Sequence, residues 1–189
     1  MVYVAYILVI AIIFGLCFLA DKGLGKIFRG KKQHKSGLKV KPAKRYATIG
    51  VVIGILGLVA MGAVKEQGWV LFGGGALLTV VAVCLLTYYL TFGIYYDDES
   101  FLVSRFGKKS VEYRYSDIQA QQLYTSMGNI LIELHMANGK TVNLQSSMVG
   151  VYPFMDKAFY NWLRQTGRKE EDCPFFDPRN SCWFPPVEE

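Results

Sequence analysis

The chain has 189 residues, 52% of them apolar, and a formal net charge of +6. The length would suit one globular domain. The apolar residues, however, run together in blocks in the first half, without the helical or strand period of a globular core. The charge is equally local, because ten Lys and Arg and no Asp or Glu lie between Lys22 and Arg45. Composition therefore excludes a uniformly basic soluble protein.

The first apolar block, residues 2–20, carries no charge. About 20 apolar residues are enough to cross a hydrocarbon core of about 30 Å. No positive region precedes the block and no small-residue cleavage site follows it, so we expect a retained anchor and not a cleaved signal peptide. The sequence predicts a first transmembrane helix over residues 1–21.

A basic loop follows over residues 22–46. Moving Lys and Arg across a bilayer is disfavoured, so we expect the loop to stay in the cytoplasm. Beside anionic lipid headgroups each such charge is worth about 1 kcal/mol. The predicted lipid-contacting residues are Lys31, Lys32, Lys35, Lys39, Lys41, Lys44 and Arg45. Nucleic acid is not expected as a partner, because Phe28 is the one aromatic residue among these charges before Tyr46.

Two more apolar blocks, residues 47–64 and 69–90, are separated by the short stretch 65–68. They predict a transmembrane helical hairpin over residues 47–91. With the basic loop in the cytoplasm, the stretch 65–68 and the N-terminus are expected outside, and the chain after Tyr96 inside. An inner or plasma membrane location with multiple spans follows from this orientation.

Small residues in the hairpin predict close helix packing, since they let backbones approach each other in lipid. The predicted packing residues are Gly50, Gly54, Gly57, Gly73 and Gly74. Packing within the hairpin and against the first span is favoured over an oligomer seam or a pore-lining bend. No ionisable residue lies inside a span, and this disfavours a transporter or channel.

From Phe92 the apolar residues alternate, as in β-strands. Turn residues divide the alternation into six predicted strands, over residues 92–96, 101–106, 111–115, 118–124, 130–136 and 141–145. The basic pair Lys108 and Lys109 is interpreted as a charged hairpin tip.

The last two predicted strands form a hairpin whose register depends on its turn. A three-residue loop, 137–139 with Gly139 left-handed, pairs Leu134 with Val142 and buries a continuous apolar face. A two-residue turn would put the apolar sets on opposite faces. We therefore predict the three-residue loop, with Ile132 paired with Leu144 and His135 pointing to solvent beside Thr141.

One amphipathic helix follows the strands, because apolar residues recur there at helical spacing. Its predicted buried stripe is Val151, Phe154, Met155, Ala158, Phe159, Trp162 and Leu163. A stripe this wide needs a large apolar surface to cover, and the predicted sheet supplies one. The predicted fold class is an α-helical membrane anchor of three transmembrane helices plus a small α+β domain of antiparallel strands closed by a C-terminal helix.

Residues 96–103 form a predicted first hairpin, and the run Tyr113 to Ile118 forms an aromatic-Ser-Asp-Ile entry to a middle strand. With these motifs, the arrangement of short strands and one closing helix resembles the pleckstrin-homology-like (PH-like) domains of bacterial membrane proteins. The resemblance covers residues 92–166 and is one strand short of the seven in that fold. Lipid-binding members commonly hold inositol phosphates with basic residues near the first strand turn. Here that turn is Asp97, Asp98 and Glu99, so the resemblance implies an interaction module without this ligand.

No catalytic, cofactor or metal residues are predicted. With two histidines and no nucleophile or phosphate-loop motif, the chain offers no set of nucleophile, base and orienting group. Cys173 and Cys182 lack the spacing of a zinc site. The tail, residues 167–189, is rich in aromatics, so we expect it to pack on the domain in preference to docking on a partner.

The functional expectation is a non-enzymatic PH-like scaffold, anchored at the cytoplasmic membrane face, whose partners are the bilayer and either another protein or a second copy of the chain. The alternative is an accessory subunit of a membrane transport or export complex.

Overall fold

The computed structural model describes residues 37–62, 68–105, 108–126 and 128–187. The first predicted span lies outside the described residues, as do Lys31, Lys32 and Lys35. The chain divides into two compact units. In its described part, the helical unit comprises residues 43–62 and 68–92, and the β unit comprises residues 37–42 and the described residues from 93 onward.

The helical unit contains helices α1 (Arg45–Gly62) and α2 (Trp69–Thr91). Their positions agree with the two apolar blocks of the predicted hairpin, and both helices are long and apolar enough to cross a membrane. Large apolar side chains on both helices are mostly exposed among the described residues: Val59 is 65% exposed, Val70 89% and Leu77 66%. The helices are therefore apolar on their outer faces as well as at their contact.

Glycines bring α1 and α2 close together. A Cβ placed at Gly57 would lie 2.6 Å from Thr79 Oγ1 and 2.7 Å from the Gly75 carbonyl oxygen. The positions of Gly50 and Gly54 likewise lie against α2 side chains, at 3.1 Å from Leu86 and 3.3 Å from Ala82 respectively. Among the α1 glycines, position 57 therefore requires glycine most strictly.

Gly73 and Gly74 differ from the α1 glycines, because no described atom lies within 4 Å of a Cβ placed at either residue. Their predicted packing stays a prediction, as the first predicted span is outside the described residues. In α2 it is Gly75 that faces α1, with a Cβ position 2.6 Å from the Gly57 carbonyl oxygen.

The described residues of the β unit form seven strands in two antiparallel sheets. The four-stranded sheet has the order β1 (Leu38–Val40), β2 (Gly93–Tyr96), β3 (Ser100–Arg105) and β4 (Lys108–Arg114). The three-stranded sheet has the order β5 (Ile118–Ser126), β6 (Asn129–Met136) and β7 (Thr141–Gln145). Helix α3 (Val151–Thr166) follows, and short 3-10 turns lie at Tyr115–Asp117, Glu170–Asp172 and Pro178–Asn180.

Strand β1 corrects the prediction of six strands. It lies in the predicted basic loop and pairs antiparallel with β2, Val40 opposite Ile94. Both of these side chains are fully buried. Helices α1 and α2 are therefore inserted between two neighbouring strands of one sheet, and the β unit begins before the hairpin and not at Phe92.

The register of the β6–β7 hairpin is confirmed. Leu134 pairs with Val142, and Ile132 pairs with Leu144. Gly139 has a φ of 73°, the left-handed conformation that glycine adopts without steric cost. Its N–H donates to the Met136 carbonyl at 2.9 Å and closes the three-residue loop. A left-handed glycine after the turn thus sets which face of both strands is buried.

Helix α3 packs its predicted stripe into the β unit. All seven stripe residues are buried. The Trp162 indole N–H donates to the Ile118 carbonyl at 3.0 Å, which ties the helix to β5. The Phe154 ring meets the ring of Phe101 edge-on, with centroids 5.4 Å apart. Burial of each large apolar side chain in this packing stabilises the fold by about 1.5–3 kcal/mol.

The tail packs on the β unit, as predicted. Trp183 and Phe184 are 1% and 2% exposed, and the Phe176 ring stacks on Phe159 of α3 with centroids 4.1 Å apart. The tail also covers the outer edge of β5, since the Gln121 N–H donates to the Pro185 carbonyl at 2.7 Å. The aromatic tail is thus part of the core and not a free arm.

Candidate functional site

The acidic turn between β2 and β3 is held by its own carboxylate. Asp97 Oδ1 accepts hydrogen bonds from the backbone N–H groups of Glu99 and Ser100, both at 2.9 Å. The Asp98 carboxylate forms an ion pair with Lys157 of α3, 2.5 Å from Nζ to Oδ1. Because β1 precedes β2, this turn joins the second strand to the third. The prediction that it follows the first strand is therefore wrong.

Helix α3 fixes this turn through its last residues. Arg164 Nη2 donates to the Asp98 carbonyl at 2.6 Å, and Gln165 Nε2 donates to the Glu99 carbonyl at 2.8 Å. The same Gln165 accepts a hydrogen bond from the Ser116 N–H at 2.9 Å. The acidic turn therefore serves to seat the C-terminal end of α3.

A buried phenol completes this end of the β unit. The Tyr115 hydroxyl donates to the Asp97 carbonyl at 2.5 Å. Burial, and secondarily the negative charge of Asp97, raises the pKa of Tyr115 above its usual range. The phenol consequently stays neutral at physiological pH and acts as a hydrogen-bond donor within the fold.

A cavity of about 380 Å³ with a basic rim lies between the two sheets, at the β3–β4 and β6–β7 turns. Val103, Val111 and Val142 form apolar walls. Its cationic lining residues are Arg105, Lys109 and Lys140. Arg105 is oriented by a hydrogen bond from Nη2 to the Thr141 carbonyl, 3.2 Å long. The lysines are exposed. The described lining residues include three cations and no carboxylate.

Strand register fixes which end of the sheet carries this cavity. Gly93 pairs with Ser104, so Arg105 lies beside the start of β2. Val40 pairs with Ile94, so β1 finishes at the same end. The chain leaves for α1 after β1 and returns from α2 to β2 through Phe92 alone. The basic cavity therefore lies at the end of the β unit where β1 finishes and β2 begins, and the acidic turn lies at the opposite end.

The predicted lipid-contacting residues that the structure describes cluster near that junction in the chain. Lys39 is an exposed residue of β1. Lys41 follows β1, and its backbone N–H donates to the Val149 carbonyl at 3.1 Å. Lys44 and Arg45, both exposed, lie at the start of α1. Contact of these residues with lipid stays a prediction. Arg105 and Lys140 were not predicted as site residues.

The remaining candidate ligands are engaged in the fold. Burial raises the pKa of the Cys173 and Cys182 thiols, which disfavours the thiolate that metals bind. Within the described ranges, no group of three His, Cys, Asp or Glu is placed to hold a metal ion.

His135 pairs with Thr141 as predicted. Its Nε2 atom, however, is buried without a hydrogen-bond partner among the described residues. The expectation of a solvated ring is therefore wrong at that atom.

Comparisons of the chain with models of protein families, with curated proteins and with solved structures found no match.

Proposed function

We propose that this protein is a membrane-anchored scaffold, in which transmembrane helices hold a PH-like domain at the cytoplasmic membrane face for protein contacts. The observation that carries the proposal is the insertion of two apolar helices between β1 and β2. A domain whose first two strands flank the hairpin is attached to it by two separate connections, so the domain cannot leave the membrane surface by extension of a single linker.

The exposure of the helices supports a membrane environment. A helix buried in the core of a soluble protein is covered by other residues, but α1 and α2 leave large apolar side chains exposed among the described residues. Exposed apolar surface of this extent is characteristic of contact with lipid or a partner. The predicted cytoplasmic loop charges give the orientation.

The strand count supports the PH-like proposal. With β1 included, the sheets have four and three strands, followed by a helix that packs on both. This removes the one-strand deficit noted from the sequence. The hairpin then takes the place of the connection between the first two strands of the fold.

Antiparallel pairing of β1 with β2 constrains the topology. The two strands lie on the same side of the membrane, so the chain between them crosses it an even number of times. Two helices meet this condition. The proposed arrangement is therefore a β unit on the cytoplasmic side and residues 63–67 on the opposite side, with an extracytoplasmic N-terminus preceding the first predicted span.

Cysteine accessibility tests the topology. In intact cells we expect a membrane-impermeant maleimide to label the Glu66→Cys variant and to leave Lys140→Cys unlabelled until the membrane is permeabilised. The parental protein, with its native cysteines, supplies the background. Labelling of Lys140→Cys in intact cells would contradict the cytoplasmic placement.

Proximity labelling tests the scaffold role. A labelling enzyme fused to the full chain should mark a reproducible set of cytoplasmic or membrane proteins, relative to the same enzyme on an unrelated membrane anchor. Absence of any reproducible neighbour would contradict the proposal. Co-purification in mild detergent separates the alternative, because a stoichiometric polytopic partner would identify an accessory subunit of a transport or export complex.

A further inference from the structure

We propose that the connection between β7 and α3, together with the first turn of α3, is a second membrane contact, which inserts the side chains of Val149 and Tyr152 into the lipid interface. The partner is the headgroup and upper acyl region of the bilayer. This inference rests on the proposed membrane location and goes beyond it, because there the β unit is held only by its chain connections to α1 and α2.

The connection is fixed to the end of β1. The Lys41 N–H donates to the Val149 carbonyl at 3.1 Å, and the Val149 N–H donates to the Lys41 carbonyl at 2.9 Å. Gly150 follows with a φ of 84°, and a Cβ placed there would lie 2.7 Å from the Lys39 carbonyl oxygen. The backbone at Gly150 therefore lies directly against β1. The position of Val149 is consequently set by a strand of the sheet and not by a free loop.

The surface presents apolar side chains to its surroundings. Val149 is 58% exposed, the largest fraction among the large apolar and aromatic side chains of the described β unit, and Tyr152 is 41% exposed. An isolated exposed valine needs no explanation, but here an exposed aromatic ring stands three residues away. The Tyr152 ring also lies beside the buried Trp183, with centroids 5.9 Å apart. A ring with a packed body and a polar tip is typical of the membrane interface.

Cations accompany these apolar side chains. Val149 lies opposite Lys41 in an antiparallel bridge, so the two side chains share one face of the sheet, and Lys39 lies on that face two residues earlier. The nearest carboxylate along α3, Asp156, accepts a hydrogen bond from the Trp183 indole at 3.0 Å. Apolar side chains flanked by lysines are typical of surfaces that lie in the interface of anionic membranes.

The covalent connection keeps this surface close to α1. Lys41 lies opposite Val149, and α1 begins four residues later at Arg45. A chain spans at most about 3.6 Å per residue, so at most about 14 Å separates the backbones of Lys41 and Arg45. The acidic turn, in contrast, lies at the other end of α3, whose 16 residues span about 24 Å. The bilayer that α1 enters is therefore the partner favoured by chain length, and Glu99 in the acidic turn is a distant reference position.

Quenching of tryptophan emission by brominated lipid tests the contact. The full chain is reconstituted in vesicles of phosphatidylglycerol and phosphatidylcholine, with or without bromine on the acyl chains. Val149→Trp and Tyr152→Trp each place a tryptophan on the proposed surface. Glu99→Trp places one on the exposed acidic turn as the matched control, and Leu77→Trp places one at an exposed position of α2 as the control for the anchor. The emission of the parental chain is subtracted in each kind of vesicle.

An interfacial side chain lies about 5–10 Å inside the boundary of headgroups and acyl chains, so we expect bromine to lower the added emission of Val149→Trp and Tyr152→Trp at least about twofold. The emission of Leu77→Trp should fall by as much or more, and that of Glu99→Trp should not change. Quenching of Leu77→Trp without quenching of either surface variant would overturn the docking surface and leave the anchor standing. Equal quenching of Glu99→Trp and the surface variants would overturn it as well. Absence of quenching in Leu77→Trp would contradict the membrane location itself.

Discussion

Replacing Gln121 by Ala should release the tail from the β unit while leaving the rest of the fold in place. The Gln121 side chain is buried in β5 and makes three hydrogen bonds to the tail backbone. Its Nε2 donates to the Ser181 carbonyl at 2.6 Å, and its Oε1 accepts from the N–H groups of Trp183 and Phe184 at 3.1 and 3.0 Å. The variant removes all three at once.

The magnitude follows from the worth of a buried hydrogen bond. Each contributes about 1 kcal/mol net, so three contribute about 3 kcal/mol. The tail can open locally, and its opening equilibrium should therefore rise about a hundredfold, at 1.4 kcal/mol per factor of ten.

Hydrogen exchange of the Trp183 and Phe184 amides measures this opening. We expect exchange about a hundredfold faster in Gln121→Ala than in the parental chain. The neighbouring Gln122→Ala is the matched control, because that half-buried side chain makes no hydrogen bond to the described tail backbone and its loss should change exchange less than threefold. Unchanged exchange in Gln121→Ala, or equal acceleration in both variants, would refute the reasoning.

Three further substitutions test other contacts. Val40→Ala should lower the free energy of unfolding of the β unit by about 2 kcal/mol through the lost burial in β1. The control Lys39→Ala should stay within about 0.5 kcal/mol of the parental chain. Denaturant unfolding, followed by tryptophan fluorescence, measures both. Gly57→Ala should destabilise the helix pair by about 1–3 kcal/mol, because its Cβ overlaps α2; Gly73→Ala should not, and unfolding in sodium dodecyl sulfate compares the two. Tyr115→Phe should cost about 1 kcal/mol at neutral pH. Above about pH 10 its stability should fall less steeply than that of the parental chain, because the raised pKa lets folded Tyr115 keep a proton that the unfolded chain releases; parallel stability curves from pH 8 to about 11.5 would contradict this.

Local patterns in the sequence predicted the local structure well. Apolar blocks located α1 and α2, and alternation located six of the seven strands within a few residues. The register of β6 and β7 followed from the turn, because the two possible loop lengths differed in which side chains they buried. These predictions succeeded since each rests on residues close together in the chain.

The strand β1 was missed because its neighbours are lysines. Leu38 and Val40 alternate with Lys39 and Lys41, and this alternation is typical of a strand. The many surrounding lysines, however, favoured the prediction of a basic loop over residues 22–46. The partner that stabilises them, β2, lies on the far side of the hairpin. This omission also led to the wrong position for the acidic turn in the strand order.

The candidate cavity depended on long-range contacts. Lys109 was noted as part of a charged tip, but Arg105 and Lys140 join it through the packing of two sheets that no local period specifies. Similarly, the aromatic content of the tail predicted that it packs, whereas the role of Gln121 as its anchor required the parallel contact between β5 and Pro186.

The insertion of the hairpin between β1 and β2 has a consequence for biosynthesis. β1 leaves the ribosome before the hairpin, and its partner β2 leaves after it, so β1 remains unpaired while the helices are being made. Closing a loop of this length adds only a modest entropic cost, but it delays completion of the sheet. Until β2 is made, the edge of β1 stays open, and without β1 the Ile94 side chain of β2 is uncovered, a state prone to aggregation and degradation. Under the proposed topology, pairing of β1 with β2 requires that the hairpin return the chain to the side of the membrane from which it entered.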